Sequence, residues 1–180
     1  PFFEKSWDWF SVGFTRLEVG VLIDGMSAMM LVVVTLVSFL VQVYSVGYQH
    51  GKERFGRFFA YISFFTAAML ILVVSNNLFQ FFMGWELMGL CSYLLIGFEF
   101  ERPAAAQAGR KAFITTRIGD LGFYLGLLLL FTTTGSLNFN IIGSEHIGTL
   151  TPVATVIALL LLCGTIGKSA QLPLHVWLPD

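Results

Sequence analysis

The sequence predicts an all-α, polytopic membrane protein. Of its 180 residues, 56% are hydrophobic and only 12% are charged, whereas soluble domains carry about 25% charged residues. Several apolar runs have about twenty residues, enough for a helix to cross a hydrocarbon core about 30 Å thick. We therefore expect about five transmembrane helices, the last of them broken near Pro173. The net charge of −1 gives no indication of nucleic-acid binding.

The N-terminal residues 1–22 combine aromatic and charged side chains, including Trp7 and Trp9. This composition is typical of the membrane interface, where tryptophan lies at headgroup level. The alternation within residues 12–22 is compatible with a short hairpin. We predict an extracytoplasmic interfacial segment, followed at Asp24 by a helix start in which the aspartate caps free N–H groups.

Residues 23–180 are predicted to form one membrane domain with spans at about 23–46, 58–74, 78–98, 104–131 and 152–178. Pro103 suits the first turn of the fourth span, and residues 132–151 form a polar linker. In the last span Pro173 cannot donate an N–H and clashes one turn back. We expect a break between Leu172 and Leu174, with a second helical piece continuing past Trp177.

The basic residues predict the orientation. The loops at 47–57 and 99–111 contain Lys52, Arg54, Arg57, Arg102, Arg110 and Lys111, whereas the opposite side contains only Lys5 and Arg16. The positive-inside rule places the richer side in the cytoplasm or its organellar equivalent. The chain begins at Pro1 and stops at Asp180 within a pattern, so we expect an internal fragment of a longer subunit.

Glu86 lies near the middle of the third span. A carboxylate at that depth costs about 2.5–3.5 kcal/mol on insertion scales, so such residues face protein or water and have a function. Gly89 and Gly97 share its helix face with Tyr93 and allow a neighbouring helix to approach. We interpret Glu86 as a titrating or field-tuning acid; the alternative is a structural ion pair between helices.

Lys168 belongs to a polar line through an apolar helix, formed by Gly164, Thr165, Lys168, Gln171 and His175. Broken helices in transporters expose backbone groups where they line a cavity. Lys168 is therefore the predicted proton carrier, and the alternative is a lysine that snorkels to the interface. His175 is either a relay residue or a hydrogen-bonded histidine at the inner end.

Asp120 lies three residues after Arg117, so a local ion pair is one interpretation. The other is an inward-facing polar stripe formed by Thr116, Asp120 and Tyr124. His50 and His146 lie in predicted loops and receive no role. Cys91 and Cys163 lie within apolar spans and are interpreted as small buried residues, with neither a disulfide nor a metal site.

A buried acid and lysine together can control the loading of a proton. Burial disfavours the charged form of a lysine, and a carboxylate within about 4–6 Å favours it. The resulting switch is worth about 2.7 kcal/mol, similar to the roughly 2.3 kcal/mol needed to move one charge against 100 mV. This chemistry needs no metal or cofactor on the chain.

Three segments resemble one family: GWELMGLCSYLLIGF (84–98), KAFITTRIGDLGF (111–123) and GKSAQLPLHVWLPD (167–180). They are similar to the antiporter-like L subunit, or chain 5, of respiratory complex I and to its plastid-type counterpart. The resemblance covers essentially the whole chain. It implies two inverted five-helix repeats, a glutamate at Glu86 paired with the proton-carrying lysine at Lys168, and an aspartate at Asp120 among the channel charges.

The resemblance also implies a proton-translocating subunit of NADH:quinone oxidoreductase that lies in the lipid bilayer with other membrane and peripheral subunits. NADH, FMN, iron–sulfur clusters and quinone would be bound by those partners. The bacterial inner membrane is the expected location, with the mitochondrial inner and thylakoid membranes as alternatives. Two other functions stay open: a subunit of a multisubunit sodium/proton antiporter, and a membrane scaffold whose charges only tie helices together.

Overall fold

A computed structural model describes residues 2–12, 15–145 and 147–180. The elements are β1 (Phe3–Val12), β2 (Thr15–Ile23), α1 (Gly25–Tyr48), α2 (Phe55–Val73), α3 (Leu78–Ile96), α4 (Pro103–Thr134), α5 (Phe139–Glu145), α6 (Ile147–Leu150) and α7 (Ala154–Lys168). Among these described residues, α1 to α4 are long and apolar enough to cross a membrane, and α7 is a shorter apolar helix of 15 residues. The predicted helical membrane fold is confirmed. His146 lies outside the described residues.

Local signals in the sequence set three of the helix starts. Asp24 caps α1 in a reciprocal capping box, because its carboxylate accepts from the Ser27 amide and the Ser27 hydroxyl accepts from the Asp24 amide. Asn77 caps α3 by accepting from the amide of Gln80 at 2.8 Å. Pro103 occupies the first turn of α4, where its missing N–H costs nothing.

The helices pack in the order α1, α2, α3, α4, α7, each against its neighbour in this series. Small residues allow the closest approaches: a Cβ built at Gly84 of α3 would lie 3.0 Å from the Ala68 carbonyl oxygen of α2. The apolar core lies between α3, α4 and α7, around Phe123, Leu127 and Ile157. Among the described residues, α1 packs mainly against α2 and β2, and most of its apolar side chains are exposed.

Strands β1 and β2 pair antiparallel, from Phe3 opposite Ile23 to Val12 opposite Thr15, and so extend further than the predicted hairpin within residues 12–22. It is fastened to the membrane helices by hydrogen bonds, including Gly20 N to Gln80 Oε1 at 2.8 Å and Leu22 N to Val74 O at 2.8 Å. Gly20 is required at this contact, since a Cβ there would overlap the side chain of fully buried Asn76.

Glu4 ties the hairpin to three asparagine amides. Partial burial opposes its charge, but donation from Asn138, Asn76 and Asn140 outweighs burial and holds the pKa of Glu4 below its ordinary value of 4.5. A lowered pKa in the folded state contributes stability that is present above pH 4.5 and lost as the pH falls through the folded value.

We therefore expect the docked hairpin to loosen below pH 4.5 in the natural sequence. Hydrogen exchange of residues 3–23, measured at neutral pH and at successively lower pH, checks this. Glu4→Gln should remove the part of the acid sensitivity that belongs to this carboxylate. The same acid response in both proteins would contradict the prediction.

The two predicted basic loops meet at one end of the bundle, called the basic end below. Arg54 forms a two-point ion pair with Glu101, one contact of which, Nη1 to Oε2, measures 3.1 Å. Lys52 lies 3.9 Å from Glu99. These contacts join the α1–α2 loop to the α3–α4 loop, as the predicted alternation of helices requires.

Two predicted segments differ from the structure. Residues 132–151 are not a plain linker, since they contain the last turn of α4 and the short helices α5 and α6. The last helix ends at Lys168 instead of near Pro173, and residues 172–179 form turns. Ala170 adopts a left-handed φ of 50°, and the Trp177 indole folds back to donate to Gly167 O at 3.1 Å. This bond satisfies a carbonyl that the helix end leaves free.

Candidate functional site

Four charged side chains lie between α3, α4 and α7 as two ion pairs. Glu86 of α3 pairs with Arg117 of α4. Lys168 of α7 faces Asp120 of α4, with Nζ 3.8 Å from Oδ2. Because Arg117 and Asp120 are both on α4, this helix carries one member of each pair and links the other two helices.

Asp120 is the most enclosed of these groups, with only 3% of its side chain exposed. Its Oδ1 accepts from the Trp85 indole Nε1 at 2.6 Å, and its Oδ2 points towards Lys168. A mid-span tryptophan needs a partner for its N–H, so Asp120 satisfies the indole while the indole fixes the orientation of the carboxylate. The rings of Phe81 and Phe123 stack on Trp85 and hold it in place.

Lys168 is the last residue of α7, and its side chain is 17% exposed. Its Nζ lies 5.7 Å from the centre of the Trp85 ring, a cation–π distance. Within the described chain, neither this Nζ nor Asp120 Oδ2 has a hydrogen-bond partner. The pair is thus held by charge across 3.8 Å, a separation too long for a direct hydrogen bond.

The two cations of these pairs, Lys168 and Arg117, both lie against Gly89. It is on α3, three residues after Glu86, and a Cβ built on it would overlap Lys168 Nζ and lie 3.8 Å from Arg117 Nη2. The absence of a side chain at Gly89 therefore allows two positive groups to lie against the same turn of α3. Both pairs thus belong to one cluster.

A small cavity of about 50 Å³ opens beside Lys168, between α3, α4 and the turn that contains Trp177. Its polar lining is supplied by Ser92, Tyr93, Thr116 and Lys168. A water molecule needs about 10–15 Å³ and two to four polar partners, so the cavity has both the volume and the chemistry to hydrate the ammonium group. Tyr93 also lines a second cavity nearer the basic end.

The structure brings Glu86, Asp120 and Lys168 together and leaves His175 apart. His175 is exposed in the turn after α7, because the helix ends at Lys168 and the predicted polar line from Lys168 to His175 is not formed. Its predicted relay role stays a prediction. The structure differs in two pairings as well: Glu86 pairs with Arg117 rather than directly with Lys168, and Arg117 does not form the local pair with Asp120.

Trp85 is the site residue that the sequence interpretation missed. A signal was present, since an indole in the middle of an apolar span and next to a buried acid has an N–H that lipid cannot satisfy. Within the described residues no group of three or more metal-ligating side chains occurs. Taken together, the apolar helices and the enclosed charges define a polytopic membrane protein whose ionisable side chains face other helices.

Comparisons with known proteins identify the family. Residues 75–180 match the family model described as NADH:quinone oxidoreductase/Mrp antiporter, TM, and residues 9–59 match NADH-Ubiquinone oxidoreductase (complex I), chain 5 N-terminus. The chain belongs to the NADH:quinone oxidoreductase/Mrp antiporter family.

Two relatives and one solved structure show the extent of the similarity. The chain is 53% identical to the chloroplastic NAD(P)H-quinone oxidoreductase subunit 5 of Zygnema circumcarinatum, over 96% of this chain and 25% of the relative. Chain 5 from a Synechocystis strain is 49% identical over 96% of this chain and 26% of its own length. The Mrp complex from Dietzia sp. DQ12-45-1b superimposes with a TM-score of 0.85 and 26% identity, over 99% of this chain and 20% of that one. The chain thus spans about a quarter of the length of these relatives.

Proposed function

We propose that this chain is part of a proton-translocating membrane subunit of an NAD(P)H:quinone oxidoreductase. The observation that carries the proposal is the Lys168–Asp120 pair, enclosed between α4 and α7 and next to a polar cavity. The names of the relatives from Zygnema and Synechocystis support the choice of complex.

In this proposal Lys168 takes up and releases the proton. Asp120 Oδ2, 3.8 Å from Nζ, favours the charged lysine, whereas enclosure of the side chain and the nearby Arg117 disfavour it. Access of Lys168 to the Asp120 carboxylate therefore decides between uptake and release of the proton. Glu86 acts indirectly, because it holds Arg117 away from Asp120. If Arg117 left Glu86 and paired with Asp120, three residues along the same helix, Lys168 would lose its counter-charge and release its proton. His175 stays the predicted relay.

Electron transfer is assigned to partner subunits, which would bind NADH or NADPH, FMN, iron–sulfur clusters and quinone. This chain would contribute proton translocation and contact other membrane subunits and lipid. Its location would be an energy-converting membrane. The cyanobacterial and chloroplastic relatives favour a thylakoid membrane, and the bacterial inner membrane predicted from the sequence is the other proposal.

Replacement of Lys168 tests the function. In the assembled complex, reconstituted in closed vesicles with an internal pH dye, Lys168→Met should lower the number of protons translocated per electron. Electron transfer measured with an uncoupler should persist. The matched control is Lys52→Met, which removes an exposed loop lysine and should leave the ratio unchanged. An unchanged ratio in Lys168→Met would refute the proposal.

A sodium/proton antiporter subunit is the second candidate, favoured by the likeness to the Mrp complex. The same vesicles separate the two functions. Proton movement driven by a sodium gradient without NAD(P)H, and abolished by Lys168→Met, would support the antiporter. Proton movement that requires NAD(P)H and quinone, and is indifferent to sodium, would support the oxidoreductase subunit.

A further inference from the structure

We propose that a cavity at the basic end binds the phosphate headgroup of an anionic membrane lipid through Arg57 and Arg110. The cavity has a volume of about 230 Å³ and lies between the basic-end halves of α2, α3 and α4. This volume is several times the roughly 30 Å³ that one water occupies in the liquid. It is therefore large enough for a phosphate group with part of its glycerol.

The two arginines differ from the other basic residues of this end. Four of the six have a carboxylate partner; the pairs are Lys52–Glu99, Arg102–Glu99, Arg54–Glu101 and Lys111–Asp180. Among the described residues, Arg57 and Arg110 have no carboxylate within ion-pair distance. The carboxylate nearest in effect is Glu101: its pKa is lowered mainly by its partner Arg54 and, to a smaller extent, by the charge of Arg57. The two cations that lack an ion-pair partner line the same cavity.

The lining favours an anion. It contains the two guanidinium groups and the side chains of Tyr61 and Tyr93, and none of its residues is acidic. Glu53, Glu99 and Glu101 line the neighbouring cavity beside Arg54 instead. Guanidinium groups bind phosphate with two parallel hydrogen bonds, and Arg110 uses only its Nε for a bond to Ala106 O at 3.3 Å. Its terminal nitrogens stay available within the described chain.

The position in the bundle favours a lipid over a soluble phosphate. Arg57 is two residues inside the start of α2 and Arg110 seven inside the start of α4, about 3 Å and 10 Å along the helix axes. The headgroup layer of a bilayer is about 5–8 Å thick on each side. Phe98 and Phe100 complete the wall of the cavity and offer apolar contact to the glycerol. Basic pockets between helices on the cytoplasmic side are places where anionic headgroups bind.

The test uses the assembled complex in mild detergent, with short-chain phosphatidylglycerol titrated and its binding followed by native mass spectrometry. The natural sequence should bind phosphatidylglycerol in preference to phosphatidylcholine. The double variant R57Q/R110Q should weaken phosphatidylglycerol binding about 30-fold. The control K52Q/R102Q removes two positive charges from the same end, but these two residues are the ion-pair partners of Glu99 and do not line the cavity. It should change phosphatidylglycerol binding by less than about threefold.

Each other outcome overturns the proposal. Equal weakening by both double variants would mean that only the overall charge attracts the lipid, and unchanged binding in R57Q/R110Q would exclude these arginines. Inorganic phosphate that competes as strongly as the lipid would assign the cavity to a soluble anion. Should R57Q/R110Q fail to assemble, the single variants R57Q and R110Q carry the test, and each should weaken binding about fivefold.

Discussion

Asp120→Asn is expected to destabilise the folded subunit by about 3–5 kcal/mol, the cost of removing one partner from a buried ion pair. Asp120 is 3% exposed and faces the ammonium of Lys168, which has no hydrogen-bond partner within the described residues. Asparagine keeps an oxygen for the Trp85 indole, so the change isolates the loss of charge. Thermal or denaturant unfolding of the full-length subunit in detergent measures the effect.

The double variant Asp120→Asn/Lys168→Met should recover most of this stability, because neither charge is then left alone in an apolar setting. A double-mutant cycle gives the coupling between the two residues directly. Asp180→Asn serves as the matched control, since Asp180 pairs with Lys111 while 41% exposed and such pairs contribute about 0–1 kcal/mol. If Asp120→Asn alone were as stable as the natural sequence, the interaction between Asp120 and Lys168 would not stabilise the fold.

Structural features that depend only on neighbouring residues are predicted well from the sequence. The cap at Asp24 and the proline at the start of α4 act within one helical turn, so their effect can be read from spacing alone. The position of Glu86, Asp120 and Lys168 against neighbouring helices also follows from the cost of charge in an apolar span. These signals identify the helices and three charged residues of the candidate site, Glu86, Asp120 and Lys168, but neither Trp85 nor the role of Arg117.

The partners of the charges were not predictable in the same way. Arg117 and Asp120 are three residues apart and compatible with a local pair, but each points to a different neighbour, Glu86 and Lys168. That choice depends on the rotation of α4 and on the axial offset between α3 and α7, which packing determines. The early end of α7 was also not predictable from neighbouring residues, since the Trp177 indole, ten residues further along the chain, donates to the free Gly167 carbonyl at this helix end.

Gly119→Val is expected to destabilise the contact between α4 and α7 by about 1–3 kcal/mol through overpacking. A Cβ at Gly119 would lie 2.7 Å from Cys163 O and 3.1 Å from Gly167 Cα. Both atoms belong to the backbone of α7, so no side-chain rotation can relieve the overlap. The helices must move apart, and the natural glycine is what allows their close approach.

The displacement should also impair the site. Gly119 and Gly167 each precede a member of the ion pair, so separating them moves Lys168 away from Asp120. Gly119→Val should therefore reduce both the unfolding temperature of the subunit and the protons translocated per electron in the complex. Gly47→Ala is the control, because this glycine within α1 has no atom within 4 Å of a built Cβ and alanine is the better helix former. Normal stability and translocation in Gly119→Val would mean that α7 is not held against α4 at this point.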